Sequence, residues 1–492
     1  MISLIDRANS FGNRTAIVAN GKKHSYKALL KSSAMVASNL LEDKADLKEA
    51  CICYLVPPSF EYTAVQWGIW RAGGIAVPLC VLHPLPSIEY VLEDTGASIV
   101  IAHKDYEQFL KPLEKVLAVT VISLNDLLLA SIESLPDVLM QQRAMILYTS
   151  GTTSKPKGVV TTHANIEAQI TTLTAAWEWS KEDHILNILP LHHVHGIINI
   201  MSCALWSGGC CEFLPKFDAE KVWAAIDSGR LTLFMAVPTI YYKLISFWED
   251  LSPEKQKNFS VAASKLRLMV SGSAALPVSV LEKWQEITDQ RLLERYGMTE
   301  IGMGLSNSYQ GERRPGHVGL PLPGVLMRLV DDKNNVVLPG NPGEIQVKGA
   351  SIFKEYWGKS EATEKAFTKD GWFITGDIAQ LNDGLYKILG RDSVDIIKSG
   401  GYKISALEIE DELRKLESVD DCAVVGLANE EYGELIAACL VSEKKELDFD
   451  IITNQLKEQL PSYKVPRKFI LRKELPRNVL GKVTKNELKK YF

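Results

Sequence analysis

Apolar residues fall into two alternating patterns along most of the chain. Short runs rich in Val, Ile and Leu recur at residues 50–56, 75–80, 98–102, 144–149 and 231–237. Runs of this length bounded by turn formers predict strands buried on both faces. Between them, residues 60–71 and 164–176 carry apolar residues at helical spacing, and the first of these stretches stops at Gly73-Gly74. Strands that alternate with helices predict a mostly parallel sheet covered on both sides. No internal repeat or low-complexity segment breaks the pattern.

The pattern changes near residues 389–392. Before this point, GWFITGDIAQLNDGLYKI reads as strands joined by Asp-Gly and Asn-Asp-Gly turns. After it come a helix at 407–416, strands at 421–427 and 435–441, a helix at 451–460, a strand at 468–475 and a final helix. The expected fold class is α/β. It comprises a large N-terminal domain, residues 1–390, of α/β subdomains with mostly parallel sheets, and a small C-terminal α+β domain, residues 391–492.

Composition narrows the function classes. Of 492 residues, 46% are hydrophobic and 23% charged, which is ordinary for a soluble globular protein. The most apolar long stretch, 185–211, is interrupted by His192, His193, His195, Asn199 and glycines. A spanning helix needs ~20 apolar residues, so no transmembrane segment is expected. The N-terminus lacks a basic segment followed by an apolar one, so no secretory leader is expected either. A net charge of −5 offers no field to attract DNA or RNA. Eight cysteines, at 51, 53, 80, 203, 210, 211, 422 and 439, form no C-x-x-C pair and no zinc-like cluster. Most lie in apolar runs, as small buried hydrophobes do, and a reducing cytoplasm is the expected location.

The sharpest local signal is YTSGTTSKPKG, from Tyr148 to Gly158. It follows a buried strand and sets small, hydroxyl-bearing residues beside two lysines. Such a loop presents backbone N–H groups, hydroxyls and a cation to a polyphosphate. It is not a Walker A loop, because G-x-x-x-x-G-K-[ST] is absent. A Ser/Thr/Gly surface turn is the commoner meaning of such composition, and the length of the run after a strand argues against it. Further along come SGSAA at Ser271–Ala275, YGMTE at Tyr296–Glu300, TGD ending at Asp377, and Gly390-Arg391. GGYK at Gly400–Lys403, EIE at Glu408–Glu410 and PRNVLGK ending at Lys482 complete the series.

In this order the motifs resemble those of the adenylate-forming superfamily, which includes acyl-CoA synthetases, peptide-synthetase adenylation domains and firefly luciferase. The resemblance spans essentially the whole chain. It implies an acid–CoA ligase that converts ATP, a small-molecule carboxylate and CoA into acyl-CoA, AMP and diphosphate through an acyl-adenylate. ATP, Mg²⁺ and coenzyme A are the cofactors and co-substrates implied. Lys482, Glu300 and Thr149 are implied as catalytic residues. The implied nucleotide contacts are Thr149, Ser150, Gly151, Thr152, Thr153 and Lys157 in the first loop and Gly272, Ser273 and Ala274 in the second. Tyr296, Gly297, Met298, Thr299, Asp377 and Arg391 complete that set. Glu300 and Thr152 are the implied Mg²⁺ ligands, and Gly400, Gly401, Tyr402 and Lys403 the implied CoA side.

These assignments make chemical sense. Carboxylate attack on a phosphate joins two anions, and a lysine offsets the developing charge as a compact point charge. Plainer readings stand beside them. Gly481-Lys482 alone reads as a solvated turn, Glu300 as a buried acid paired with Arg295, and Asp377 with Arg391 as a simple ion pair. The hinge departs from the commonest pattern, with Ser393 where many relatives have Asp and Asp392 one place earlier. By resemblance the small domain rotates after adenylation, withdrawing Lys482 and presenting the Gly400–Lys403 loop to CoA.

The segments ERYGMTE (Glu294–Glu300), VPTIYYK (Val237–Lys243), PLHHVHG (Pro190–Gly196) and GERRPG (Gly311–Gly316) resemble malonyl-CoA synthetases more than fatty acyl-CoA synthetases. That resemblance implies that Arg295 holds the unreactive carboxylate of a diacid, with Lys243 as a second basic residue inside the pocket. It also places His193 as a gate to the acyl pocket and His195 as a polar contact. An arginine does not shed its proton, so one enclosed in an acyl pocket must find an anion. Malonate, or methylmalonate, is the expected acid. Pairing of Arg295 with Glu294 or Glu300 stays open as the alternative, as does a fatty acid or another acid for a stand-alone adenylation enzyme. A metal site at the three histidines lacks an accompanying carboxylate or cysteine. The expected assembly is a monomer or homodimer.

Overall fold

A computed structural model describes residues 2–129, 134–149, 155–399, 402–444, 446–478 and 481–492. Among the described residues, two large sheets carry most of the parallel strands. One has seven strands, in the order Glu355–Tyr356, Lys157–Thr162, Arg143–Thr149, Ile75–Pro78, Cys51–Leu55, Ile99–Ala102, Thr120–Ser123. The last five of these run parallel. The other sheet has nine strands. Its parallel centre is Leu293–Met298, Leu268–Ser271, Leu233–Ala236, His184–Asn187, Cys210–Phe213 and Thr15–Ala19. The expected strand runs therefore appear within a residue or two of their predicted bounds. Cys51–Leu55, Ile75–Pro78, Leu233–Ala236 and Leu268–Ser271 are buried at every position. Helices cover both faces, so unbroken apolar runs, not alternation, are what these strands need.

The helices have local causes. Phe60–Arg71 starts where the Ser59 side chain accepts from Tyr62 N, and His163–Ala176 starts with a reciprocal Thr162–Asn165 capping box. Phe60–Arg71 crosses Tyr26–Leu41 at Gly68, where an added Cβ would lie 2.4 Å from Val36 Cγ1 and 3.0 Å from the Ser33 carbonyl. Only a residue without a side chain lets the two backbones approach so closely.

A four-stranded antiparallel sheet follows, Val325–Val330, Pro342–Gly349, Phe373–Asn382 and Leu385–Arg391. Beyond it, Ile397 to Leu488 supply two apolar clusters of their own. They pack on a sheet of Tyr402–Ser405, Ile396–Ser399, Gly433–Val441 and Asp421–Asn429, with Lys468–Arg472 parallel to Gly433–Val441. The helix expected at 407–416 is Ala406–Leu413, capped by Ser405, and the final helix is the single turn Lys485–Leu488.

Gly68→Ala is expected to lower the urea midpoint by an amount equivalent to ~1–3 kcal/mol, the range for overpacking a filled contact. Val36→Ala in the same chain should restore part of the loss. Additive losses in the double variant would show that the two sites do not share this contact.

Candidate active site

Parallel α/β sheets bind ligands beyond the carboxyl ends of their strands, where loops converge. Here His184–Asn187, Leu233–Ala236 and Leu268–Ser271 are neighbours in the nine-stranded sheet. After them come a turn with His192 and His193 and the start of helix His195–Ser202, then Val237 and the start of helix Pro238–Glu249, then Gly272 and Ser273. The adjoining strand Leu293–Met298 brings Glu294, Arg295 and Tyr296 to the same edge.

Successive side chains on a strand point to opposite faces, which separates Glu294 from Arg295. Glu294 accepts from Gly316 N at 3.0 Å. Arg295 is 4% exposed, and among the described residues its side chain makes one hydrogen bond, from a terminal nitrogen to Ser273 Oγ at 3.2 Å. Its Nε is enclosed and meets no partner, and among the described residues no carboxylate lies within 4.0 Å of the guanidinium. Pairing with Glu294 or Glu300 is therefore not what the fold provides. Burial pushes Arg295 down to about 9, still charged at neutral pH. The guanidinium lies flat against Gly272, where a Cβ would come within 2.4 Å of Nε. Ser273 adopts a left-handed φ of 71°, a cost for a residue with a side chain, and its hydroxyl also lies 3.2 Å from His195 Nδ1.

The histidines are neutral. Burial, then the Arg295 charge, holds His195 well below its ordinary value. Burial, then the Lys482 charge, pushes His193 down to about 4. The rings of His192 and His193 lie 4.0 Å apart, and those of His83 and His192 5.8 Å apart. Among the described residues no group of three or more His, Cys, Asp or Glu side chains is arranged to hold a metal.

On the opposite face of the same strand, Tyr296 donates to Asp377 Oδ2 at 2.6 Å. Arg391 donates from Nε to Asp377 Oδ1 at 2.9 Å, and the two residues are cross-strand partners in the four-stranded sheet. The bulge after Tyr296 needs Gly297, whose Cβ would lie 2.1 Å from the Gly302 carbonyl. Glu300 is buried and accepts from the Tyr356 hydroxyl at 2.9 Å; burial raises its pKa. Lys157 sits 4.8 Å from the Tyr356 ring and opposite Thr149 in the strand pair flanking the first loop.

Lys482 reaches this region from the C-terminal segment. It is accessible to water yet ringed by protein, so burial lowers its pKa first, followed by the Arg391 and Arg295 charges, against Asp377 and Asp395. Its loop docks on the large domain at Thr239, 3.0 Å from the Cβ position of Gly481.

The structure thus gathers Lys482, Arg295, Arg391, Asp377, Glu300, His193 and His195. Met298 and Thr299 are half-buried between Tyr296 and Glu300, while Ala274 is exposed beyond Ser273. Lys243, expected inside the pocket, makes no contact with Arg295 among the described residues. It is exposed on helix Pro238–Glu249, its ammonium 5.8 Å from the Phe217 ring, because that helix buries its Tyr241, Leu244 and Ile245 side instead. Tyr402 is 55% exposed and stacked on Tyr463 at 4.4 Å, away from this cluster of charges. Ser150, Gly151, Thr152, Thr153, Gly400 and Gly401 lie outside the described residues, as does the side chain of Lys403. Sequence reasoning missed Tyr356, which sits in a two-residue strand without a motif, and the link from Ser273 to Arg295.

Residues 4–357 match the model of the AMP-binding enzyme family, and residues 408–482 match that of the AMP-binding enzyme C-terminal domain. The chain belongs to the AMP-binding enzyme family. This AMP-binding enzyme is 42% identical to the mitochondrial malonate–CoA ligase of Xenopus laevis, over 100% of this chain and 92% of the relative. It overlays ATP-bound MatB from Rhodopseudomonas palustris with a TM-score of 0.92 at 32% identity, covering 100% of this chain and 99% of that one. A malonyl-CoA ligase bound to methylmalonyl-CoA and AMP overlays at 0.71, also at 32% identity, covering 97% of this chain and 100% of that one.

Glu294 supplies a test of the site's electrostatics. Burial pushes its carboxyl up to about 8, far above an unfolded glutamate near 4.3. Between those values the folded chain holds a proton that the unfolded chain has released, so this group makes stability fall as pH rises through that window. Glu294→Gln keeps an acceptor for Gly316 and removes the titration. The variant's thermal midpoint should exceed that of the unmodified enzyme near pH ~8.5 and converge with it near pH ~5. A constant difference at both pH values would contradict the assignment.

Proposed function

We propose that this enzyme is a malonate–CoA ligase, and that the buried, carboxylate-free guanidinium of Arg295 is what selects a diacid. A charge enclosed without a counter-ion costs several kcal/mol, and a dicarboxylate that brings its own second anion removes that cost. A charged hydrogen bond contributes about 1.5–3 kcal/mol. A site built to pair with a polar group rejects analogues lacking it by ~10⁴-fold or more. The names of the relatives agree with this reading.

In the first half-reaction a carboxylate oxygen of malonate attacks the α-phosphorus of ATP and the bond to the β-phosphate oxygen breaks, releasing diphosphate. Lys482 offsets the charge that accumulates between the two anions. Arg391 and Asp377 hold the ribose side, Asp377 retaining acceptor capacity beyond its bonds to Tyr296 and Arg391. Arg295 keeps the distal carboxylate in place. Neutral His193 and His195 line the acyl side without adding charge. In the second half-reaction the thiol of CoA attacks the acyl carbon, AMP leaves, and the thiol proton is lost.

Glu300 fits a magnesium ion, because it is a buried carboxylate with one oxygen held by Tyr356 and a pKa raised by burial, a state that a cation relieves. When bound, Mg²⁺ would neutralise phosphate charge. We divide the chain at residues 390–391 into the two expected domains. The gap between overlays of 0.92 and 0.71 at equal identity supports a second arrangement of those domains. No helix of the described residues is long and apolar enough to cross a membrane. The free, mostly buried cysteines fit a reducing compartment, for which we propose the cytoplasm.

An acid panel tests the substrate. Malonate should release diphosphate in preference to acetate and palmitate; equal use of either would remove the role of Arg295. Arg295→Ala should raise the KM for malonate roughly 10–100-fold and leave the KM for ATP nearly unchanged.

Lys482→Ala should slow adenylation by about 10²–10³-fold while sparing thioester formation from supplied malonyl-adenylate. Equal loss in both steps would exclude a role confined to the first.

A further inference from the structure

A buried lysine outside the set just described joins the hinge to the catalytic loop. Lys485 begins the last helical turn and is 6% exposed. Its ammonium lies 2.7 Å from Asp395 Oδ1 and 2.7 Å from Glu410 Oε1. Burial works against this charge, and Glu410 and Asp395 outweigh it, so the lysine is more firmly protonated than an ordinary one.

Each partner is anchored. Asp395 closes the turn at the end of strand Leu385–Arg391. Its other carboxylate oxygen accepts from Arg391 N at 3.1 Å, its N–H donates to the Arg391 carbonyl at 2.8 Å, and its own carbonyl accepts from Ala406 N at 2.8 Å. Gly390 has a left-handed φ of 124° with its Cβ position 2.4 Å from Asp395 Cβ, so the turn folds directly onto this aspartate. Glu410 lies on helix Ala406–Leu413, and its Oε1 also accepts from Val424 N at 2.8 Å in the core of the small domain.

On the other side, Lys485 follows Lys482 by three residues in a clamped segment. Thr484 N donates to the Pro476 carbonyl at 2.9 Å, and Lys482 N donates to Asn478 Oδ1 at 3.0 Å. Arg477 donates to the Gly481 carbonyl at 2.6 Å and reaches Asp421 at 2.6 Å. The described residues around Lys482 are therefore tied to one another and to Asp421, and Lys485 is their ionic tie to the hinge turn.

We propose that Lys485 is a positioning residue: through Asp395 and Glu410 it fixes the Lys482 loop to the hinge turn, so that both travel as one body when the small domain turns. Placement of the Lys482 ammonium then depends on the angle of the domain and not on independent motion of the loop. This rests on the reading of Lys482 as the adenylation residue, which the Lys482→Ala result tests separately.

The experiment compares Lys485→Met, Lys485→Arg and Asp395→Asn in the full-length enzyme. Malonate-dependent exchange of diphosphate into ATP reads adenylation, thioester formation from supplied malonyl-adenylate reads the second step, and thermal midpoints report folding. A displacement of about 1 Å costs on the order of 10²-fold in rate, so Lys485→Met should lose about that much in the adenylation kcat. Its KM values for ATP and malonate should stay within about threefold, and its second step should be largely retained. Asp395→Asn should fall in the same direction by less, and Lys485→Arg should keep most of the rate. Unchanged adenylation in Lys485→Met overturns the proposal, as does a parallel fall of both steps and of the midpoint in all three variants. If Lys485→Met does not fold, Asp395→Asn decides, and a full adenylation rate in that variant overturns the proposal.

Discussion

A guanidinium enclosed with no acid beside it among the described residues is the constraint around which the site is built. Arg295 lies in a low-dielectric interior where an uncompensated charge is costly. The surroundings decline to neutralise it. Glu294 points to the other face of the strand and Glu300 is held by Tyr356. Ser273 accepts a single hydrogen bond from a strained backbone position, and the neighbouring imidazoles are kept neutral by burial. Gly272 leaves the space that the planar group fills. Each of these details would be a defect in a purely structural arginine. Together they agree with the role proposed for Arg295, that of meeting a substrate carboxylate.

The same logic extends across the seam between the large sheets and the C-terminal segment. Burial depresses the pKa of Lys482, the nearby Arg391 and Arg295 charges depress it further, and Asp377 and Asp395 offset only part of this. Such a cluster is tolerable where polyanionic ligands enter, and it explains why Lys482 stays open to water while ringed by protein. The cations come from different parts of the chain: Arg295 from the nine-stranded sheet, Arg391 from the end of the four-stranded sheet and Lys482 from the C-terminal segment.

Most secondary structure was legible in the linear pattern, because a strand buried on both faces is an unbroken apolar run wherever it lies. The stretches 60–71 and 164–176 are helices within one residue of expectation, since Ser59 and Thr162 cap them locally. The helix beginning near 407 stops at Leu413, short of the predicted end, and the last helix is a single turn. Periodicity extends past the point where packing and capping end an element, so these limits depend on what lies alongside. The Tyr356–Glu300 contact joins residues 56 apart, and a strand of two residues has no period to read.

The linear order of residues determined the chemistry on offer: the hydroxyl-rich loop, the YGMTE strand end, Asp377, Arg391 and Lys482, each marked by its neighbours in the chain. Tertiary structure decided which of these charges are paired. Among the described residues it left Arg295 without a carboxylate within 4.0 Å, placed Lys243 on an exposed helix face and gave Lys485 two acids from distant segments. Pairing depends on a few ångströms across strands and domains, whereas sequence specifies which groups exist and, through local periodicity, which way each one leaves its own backbone.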